Sequence, residues 1–286
     1  MVVIGIVLAV FAVQLAGAAL SGSLALLADA GHLLSDLIGL VVALVAATIA
    51  ARPATDRQTF GFQRTEVFGA LINGLILIGV AVSVAIGAVL RLGDGHPHVE
   101  GGWMLAAALV GLAGNVAGLL VLRGGAKASI NMRGAYLEVL GDAFGAIAAI
   151  AAAVVILTTG FVQADAVASL VIVVLIVPRA YSLLREVVRV LSESAPASTD
   201  VAEIRAHLLG TAGVVAVHDV HVWAITSGAP VFSAHVVVSP DVFAQGRAGL
   251  LLDELGGCLT EHFDVAHSTF QLEPSEHAAH EGETHR

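Results

Sequence analysis

The sequence predicts a membrane all-α domain of six transmembrane helices, followed by a small α+β domain. Hydrophobic residues occupy 57% of the 286 positions and charged residues only 13%, about half the charged fraction of a soluble domain. The apolar surplus lies before residue 190, in stretches long enough to cross a bilayer. After Pro196 the pattern changes to shorter helical and β-rich segments. We therefore divide the chain into a transmembrane domain at 1–190, a soluble domain at 196–274 and a tail at 275–286.

Six apolar stretches approach the roughly 20 residues that a helix needs to cross the hydrocarbon core. They fall at about 2–20, 24–50, 66–90, 103–122, 135–159 and 166–188. The first stretch lacks the basic head of a signal peptide. We interpret it as a first span rather than as a cleaved leader.

Basic residues cluster at every second connection between these spans. Going along the chain, the clusters are Arg52, Arg57 and Arg64, then Arg123, Lys127 and Arg133, then Arg179, Arg185 and Arg189 at the end of span six. The remaining connections hold one basic residue, Arg91. Because cytoplasmic loops carry the Lys/Arg excess, both termini should be cytosolic. The compact, Ala-rich chain favours a bacterial inner (plasma) membrane.

Charge and cysteine content exclude several classes of function. The net charge of −10 comes mostly from the region after residue 192, which argues against nucleic acid as a partner. Cys258 is the only cysteine. The chain therefore has neither an intrachain disulfide nor a cysteine-based zinc site.

The region after Pro196 predicts a small open-faced α+β sandwich. Its elements are, in order, a helix at 199–210, strands at 214–225 and 231–238, a helix at 242–262 and a strand at 266–273. Ser198 or Thr199 is the expected cap of the first helix, and the turn residues after 225 predict a hairpin. The polar residues 275–286 predict a disordered tail.

Ionisable side chains inside the predicted spans point to function, since each costs about 2.5–3.5 kcal/mol at the centre of a membrane helix. Span two contains Asp29, His32 and Asp36, and span five contains Glu138 and Asp142. The last two residues of each set are four apart, so both lie on one face of their helix. Two such pairs can together form a four-coordinate metal site.

One imidazole and three carboxylates suit a divalent transition metal, with Zn²⁺ first. The carboxylates also admit Co²⁺, Cd²⁺, Fe²⁺ or Mn²⁺. Because these ligands bind metal in their deprotonated forms, metal and protons compete for them. Either pair alone could be a structural hydrogen bond or a snorkelling pair, but two pairs at the same spacing favour a metal site.

Other polar residues in the spans are weaker candidates. We interpret Asn73 and Asn115 as amides that join helices by hydrogen bonds. Asp165 and Ser169 begin span six, where an aspartate is an ordinary cap of its own helix.

Long motifs follow these positions along the chain. They are 21–36 (SGSLALLADAGHLLSD), 52–61 (RPATDRQTFG), 131–142 (NMRGAYLEVLGD), 217–223 (VHDVHVW) and 267–274 (HSTFQLEP). They resemble the second span, first cytosolic loop, fifth span and cytosolic domain of the cation diffusion facilitator family of zinc and divalent-metal exporters, in its bacterial cobalt-zinc-cadmium efflux branch. The similarity extends from about residue 14 to 274.

The resemblance implies a homodimer of six-span subunits that exchanges cytosolic metal for protons by alternating access. It implies that His32, Asp36, Glu138 and Asp142 form the transport site. It also implies a metallochaperone-like cytosolic domain with a regulatory metal site of His218, His235 and Glu273 at the dimer interface. Gln271 lies nearby, where a histidine often occurs in the family. Zn²⁺ is the expected metal at both sites, and no organic cofactor is expected.

Two departures from the family pattern concern metal preference and accessory sites. Glu138 stands where zinc-selective members usually have histidine, which leaves the metal order open. The first-loop positions that hold an accessory metal in some members are Gln58 and Phe62 here, so we expect no metal in that loop.

Several further histidines have ordinary interpretations. His221 is at odd spacing from His218, so the two should face opposite sides of their strand. The role of His267 at a strand start stays open. The tail histidines His277, His280 and His285, interleaved with glutamates, are more typical of a solvated segment than of a metal site.

Three functions remain to be weighed. A proton-coupled metal exporter accounts for the quartet inside the bilayer, whereas a membrane sensor or scaffold that binds metal without moving it would need only the soluble domain. A membrane enzyme that uses His32 as a general base is disfavoured, because no nucleophile lies near it in sequence and no cofactor motif is present.

Overall fold

The computed structural model describes residues 2–93, 98–123, 130–265 and 267–278. The predicted basic residue Lys127 and the tail histidines His280 and His285 lie outside these ranges. The chain divides into two compact units, Met1–Val45 with Gly69–Leu184, and Ala46–Phe68 with Arg185–Arg286.

Six long apolar helices form the first two thirds of the chain, as the hydrophobic stretches predict. They are α1 Val2–Ser21, α2 Leu24–Ala50, α3 Thr65–Gly93, α4 Gly101–Leu122, α5 Ile130–Thr159 and α6 Gln163–Leu191. From α2 onward, each is long and apolar enough to cross a membrane, and the part of α1 whose side chains the structure describes, Gly5–Ser21, is apolar as well. Many large hydrophobic side chains on these helices are exposed, such as Leu44 and Val174, which is expected where lipid replaces water.

The helices of the first unit pack through small residues. Ala25, Ala28, Ala108, Ala153 and Ala180 are all nearly or completely buried in one apolar cluster. Small side chains let helix backbones approach closely, because packing rather than the hydrophobic effect holds membrane helices together. Glycine does the same where α1 meets α4, since a Cβ at Gly17 would collide with Ala107.

Asp165 caps a helix other than its own. The carboxylate is 1% exposed and accepts hydrogen bonds from Ser23 Oγ at 2.5 Å, Leu24 N at 2.8 Å and Ala25 N at 3.1 Å. It thereby satisfies the first backbone donors of α2. The prediction that it caps α6 is wrong, because the donors nearest to the buried carboxylate belong to α2.

Arg91 of α3 completes this network. Its Nη1 lies 3.2 Å from Asp165 Oδ2 and donates to the Gly22 carbonyl at 2.7 Å. Gly22 has a φ of +68°, which glycine adopts without steric cost. The starts of α2 and α6 and the end of α3 are thus joined by one buried carboxylate.

The soluble part of the second unit has the predicted α-β-β-α-β order. Its elements are α7 Val201–Leu209, β1 Val214–Ala224, β2 Pro230–Val238, α8 Pro240–Ala244, α9 Ala248–Phe263, β3 His267–Pro274 and the one-turn helix α10 Ser275–Ala278. The predicted second helix is divided in two because Gly246 takes a φ of +66°. The N-cap of α7 is Asp200, which accepts from two backbone amides, rather than Ser198 or Thr199. The first four residues of the predicted disordered tail form α10.

The three strands form a sheet in the order β1-β2-β3, with β1 antiparallel and β3 parallel to the central β2. Helices cover one face, where Phe232 and Val236 of β2 pack with Leu208 of α7 and Leu255 of α9. Alternate residues point to the opposite face, since the side-chain period of a strand is two. His235 and its register partners His218 and Gln271 lie on that open face.

We expect Asp165→Ala to destabilise the membrane unit by about 3 kcal/mol, as breaking a buried charge pair does, since it leaves Arg91, Ser23 Oγ and two backbone donors of α2 without their acceptor. The measurement is thermal unfolding of the purified protein in detergent. Asp200→Ala is the control, since it removes an exposed cap worth about 1 kcal/mol. Equal losses in the two variants would contradict the structural role of Asp165.

Candidate metal centres

The membrane unit holds a cluster of ionisable side chains on α2 and α5. His32 Nε2 lies 3.5 Å from Asp36 Oδ2, one turn further along α2, and 3.1 Å from Asp142 Oδ1 on α5. His32 is buried, while Asp142 is 10% and Asp36 28% exposed. One ligand atom from each of the three residues lies within 4.8 Å of the others. The structure therefore brings three of the four predicted ligands into one group.

Glu138, the fourth predicted ligand, reaches the group through Arg179 of α6. Arg179 Nη2 pairs with Glu138 Oε1, and Nη1 lies 2.8 Å from His32 Nε2 and 3.3 Å from Asp142 Oδ1. The guanidinium therefore contacts both α5 carboxylates and the α2 imidazole. Two carboxylates and one imidazole thus contact a side chain whose positive charge is permanent.

The sequence groups Arg179 with the basic cluster at the end of span six, whereas its side chain turns into the carboxylate cluster. It follows Pro178 inside α6, and twelve more residues of helix follow it. Proline lacks the N–H that would bond to the carbonyl of residue 174, which loosens the helix there. The rule that singles out His32 and Asp36, a charge inside a span, applies equally to Arg179 and would have identified it.

The hydrogen bonding of His32 Nε2 depends on its tautomer: a protonated Nε2 donates to Asp142 Oδ1 at 3.1 Å, whereas an unprotonated Nε2 accepts from Arg179 Nη1 at 2.8 Å. A guanidinium can only donate hydrogen bonds. The 2.8 Å contact with His32 Nε2 is therefore a hydrogen bond when Nε2 is unprotonated and the proton is on Nδ1. In that tautomer the Nε2 lone pair points at Arg179, and a metal ion would need the same lone pair.

A cavity of about 220 Å³ adjoins the cluster and gives it room for an ion. Its polar lining includes Asp36, Asn115, Glu138 and Asp142, and its apolar lining comes from α1, α2, α4 and α5. Asn115 therefore lines the cavity. Asn73 instead joins two helices, as predicted, because its Oδ1 accepts from Ser35 Oγ at 2.6 Å.

Two buried polar residues, Gln14 and Asp29, lie beside Gly111 of α4. Asp29 is 5% exposed and Gln14 fully buried, and neither amide atom of Gln14 has a hydrogen-bond partner in the part of the chain that the structure describes. A Cβ at Gly111 would collide with Gln14 Nε2 and come within 3.9 Å of Asp29 Oδ2. The glycine thus makes space for both polar groups. Gln14 carries no charge and has no partner at helical spacing, so the sequence did not indicate it.

The soluble domain brings its three predicted ligands together on the open face of the sheet. Glu273 Oε1 lies 2.8 Å from His235 Nδ1, and Oε2 lies 3.3 Å from His218 Nε2. The two histidines are register partners with ring centroids 5.2 Å apart. Gln271 Nε2 donates to Glu273 Oε1 at 2.7 Å. The carboxylate is 1% exposed, and it contacts both imidazoles and the Gln271 amide.

His221 lies on the same face as His218, so the prediction of opposite faces is wrong. The register shifts between His218, which pairs with His235, and His221, which pairs with Ser233. Three residues of β1 therefore span two of β2, which is a β-bulge, and Asp219 within it has a φ of +46°. The extra residue shifts the alternation of side chains between the two faces of the sheet, so His221 lies on the same face as His218.

His267, whose role the sequence leaves open, packs edge-on against Phe60, with ring centroids 5.3 Å apart. Its contact is with an aromatic ring of the loop after α2 rather than with the other histidines of the sheet.

Two family models match the chain. The cation efflux transmembrane domain matches residues 1–192, and the cation efflux protein cytoplasmic domain, a model named for dimerisation, matches residues 196–275. This chain belongs to the cation efflux family. It is a multi-pass membrane protein, and nothing in the comparisons points to catalysis.

Similar members of the cation efflux family come from several bacteria. The metal cation efflux system protein CzcD of Cupriavidus metallidurans is 38% identical over 93% of this chain and 83% of its own length. A cadmium, cobalt and zinc/H(+)-K(+) antiporter of Bacillus subtilis is 37% identical over 93% and 85%. The zinc transporter ZitB of Escherichia coli is 38% identical over 91% and 82%.

A solved structure also matches. The metal-bound C-terminal domain of the CzcD transporter from Cupriavidus metallidurans is 39% identical, covers 26% of this chain and 99% of its own, and has a TM-score of 0.24.

We expect the purified full-length protein to bind zinc at two separate kinds of site. His235→Ala should remove the cytosolic one and lower the bound zinc by about one ion per chain, because a single carboxylate and one imidazole leave too few ligands. Calorimetric titration in detergent measures this. His207→Ala is the control, since this exposed histidine on α7 stacks with His262 and Phe263 outside the cluster. An unchanged stoichiometry in His235→Ala would contradict the assignment.

Proposed function

We propose that this protein exports a divalent transition metal, Zn²⁺ first, from the cytosol in exchange for protons. The observation that carries the proposal is the group of His32, Asp36 and Asp142 ligand atoms within 4.8 Å, on helices that are long and apolar enough to cross a membrane. Glu138 joins it as the fourth ligand. A sensor that only binds metal has no need of ligands inside the bilayer, whereas a transporter requires them there.

Proton exchange follows from the chemistry of the ligands. Carboxylates and imidazole bind metal when deprotonated, so metal entering from the cytosol displaces protons, and protons entering from the other side displace metal. The Bacillus subtilis relative is named an antiporter of both H(+) and K(+). A potassium gradient is therefore the second coupling to test.

The cytosolic domain supports a regulatory role for a second metal ion. Glu273 with His218 and His235 offers two imidazoles and one carboxylate, and a fourth ligand can come from water or from a second subunit. We propose that metal here tightens a homodimer and favours transport. The name of the matching cytoplasmic-domain model supports dimerisation through this domain.

We expect Asp36→Asn and Asp142→Asn to abolish metal transport, because each replaces an anionic ligand by a neutral amide. The measurement is zinc flux and opposite proton flux in proteoliposomes, with cobalt, cadmium, iron and manganese in parallel and with imposed proton or potassium gradients. Asp56→Asn, in the exposed loop after α2, is the matched control. Full transport by either cluster variant would refute the site. Metal binding without flux in the wild type would favour the sensor or scaffold alternative.

The proposed orientation, with both termini cytosolic in the inner membrane, can be read from Cys258 on α9. Burial, and then the Glu261 and Glu254 carboxylates, raise the pKa of this thiol. Because only the thiolate reacts, labelling should accelerate as the pH rises. A membrane-impermeant maleimide should therefore label it, faster at higher pH, only after cells are permeabilised. Labelling of intact cells would contradict the proposed orientation, because it would place Cys258 outside the cell.

A further inference from the structure

Arg179 contacts the atoms that would hold the transported ion. Its guanidinium lies 2.8 Å from His32 Nε2 and 3.3 Å from Asp142 Oδ1, and pairs with Glu138. Three of the four ligands of the proposed transport site therefore make contacts with one cation of the protein itself. Arginine keeps its charge at every pH relevant to a cell.

Metal binding and these contacts exclude one another. The lone pair of His32 Nε2 can accept from the arginine or coordinate an ion, but not both. A divalent ion would also repel the adjacent guanidinium in a setting poorly screened by water. Loading the site therefore requires Arg179 to withdraw.

The structure gives Arg179 room to do so. The side chain is 35% exposed and follows Pro178, where α6 lacks one backbone hydrogen bond. Its ligand partners are on α2 and α5, so its contacts are all between helices. Withdrawal would break three side-chain contacts.

We propose that Arg179 is a tethered cation that competes with the metal ion for the transport site. It neutralises part of the carboxylate charge when the site is empty, and it sets the affinity low enough for the ion to leave. This inference rests on the proposed function of the quartet. Arg179 acts on the ion by occupying its ligands and is not itself a ligand.

The test is zinc affinity, measured calorimetrically on the full-length protein in detergent. The background carries His218→Ala and His235→Ala, so that the titration reports the membrane site. Arg179→Gln should tighten zinc binding by about tenfold to a hundredfold, since it removes a neighbouring like charge. Arg179→Lys, which keeps the charge, should stay much closer to the wild-type affinity.

Three controls make the outcome specific. Arg185→Gln removes an exposed positive charge from the same helix and should leave the affinity unchanged. Adding Asp36→Asn to Arg179→Gln should abolish the tightened site; if tight binding persists, it arises elsewhere and the proposal fails. Arg179→Met, which preserves the aliphatic stem, replaces Arg179→Gln if that variant does not fold.

Equal or weaker zinc binding in both neutral variants would overturn the proposal, because Arg179 would then be holding the ligands in place instead of competing with the ion. The transport function is tested separately by wild-type flux. If the wild type moves no metal while Arg179→Gln binds zinc more tightly, the competition stands and the exporter function falls. If the wild type transports metal and Arg179→Gln binds zinc with unchanged affinity, the exporter function stands and the competition proposal fails.

Discussion

The concentration of negative charge inside an apolar helix bundle is the constraint on which the membrane unit depends. Asp36 and Asp142 lie beside the imidazole of His32, and Glu138 and Asp142 contact the guanidinium of Arg179. Each charge is costly at membrane depth, and like charges at short range add to that cost. The arrangement is sustained by groups that balance it, namely the imidazole of His32 and the guanidinium of Arg179. A divalent cation would neutralise more of this negative charge than the imidazole and the guanidinium do. The cluster is therefore suited to binding such an ion reversibly.

The two candidate metal clusters differ in how their negative charge is balanced. In the soluble domain, Glu273 is buried between two histidines that are 35% and 27% exposed, so water and two imidazoles can balance one carboxylate. In the membrane unit, three carboxylates accompany one imidazole, and the surrounding lipid supplies no counter-ions for them. A permanently charged side chain such as Arg179 therefore balances part of that charge. The described contacts of the soluble cluster are instead with histidine and glutamine.

The sequence predicted the helices and strands well, and it placed the two ionisable pairs of the proposed transport site each on one helix face, because both inferences follow from short-range periodicity. Apolar runs of about 20 residues specify membrane helices, and spacing of four places His32 with Asp36 and Glu138 with Asp142 on one helix face. Three features escaped because each depends on a partner distant in sequence or on a local irregularity. Asp165 caps α2 rather than its own helix, Arg179 reaches back to α5, and one extra residue in β1 turns His221 to the face of His218. A charge inside a span, which the sequence does show for Arg179, does not reveal which helices it contacts. Spacing and propensity within one segment do not reveal the other two features either.

The distribution of these groups over the helices links ion occupancy to helix position. The ligands lie on α2 and α5, whereas the competing cation lies on α6 and follows a proline. Any displacement of α6 relative to α2 and α5 therefore changes the charge that the ligands experience, without altering the ligands themselves. At the other end of α6, Asp165 ties the same helix to the start of α2 and, through Arg91, to α3. In the proposed competition, Arg179 leaves the ligands when the ion binds. Ion occupancy and the position of α6 are then linked, and an ion that binds one position of the helix more tightly must favour that position.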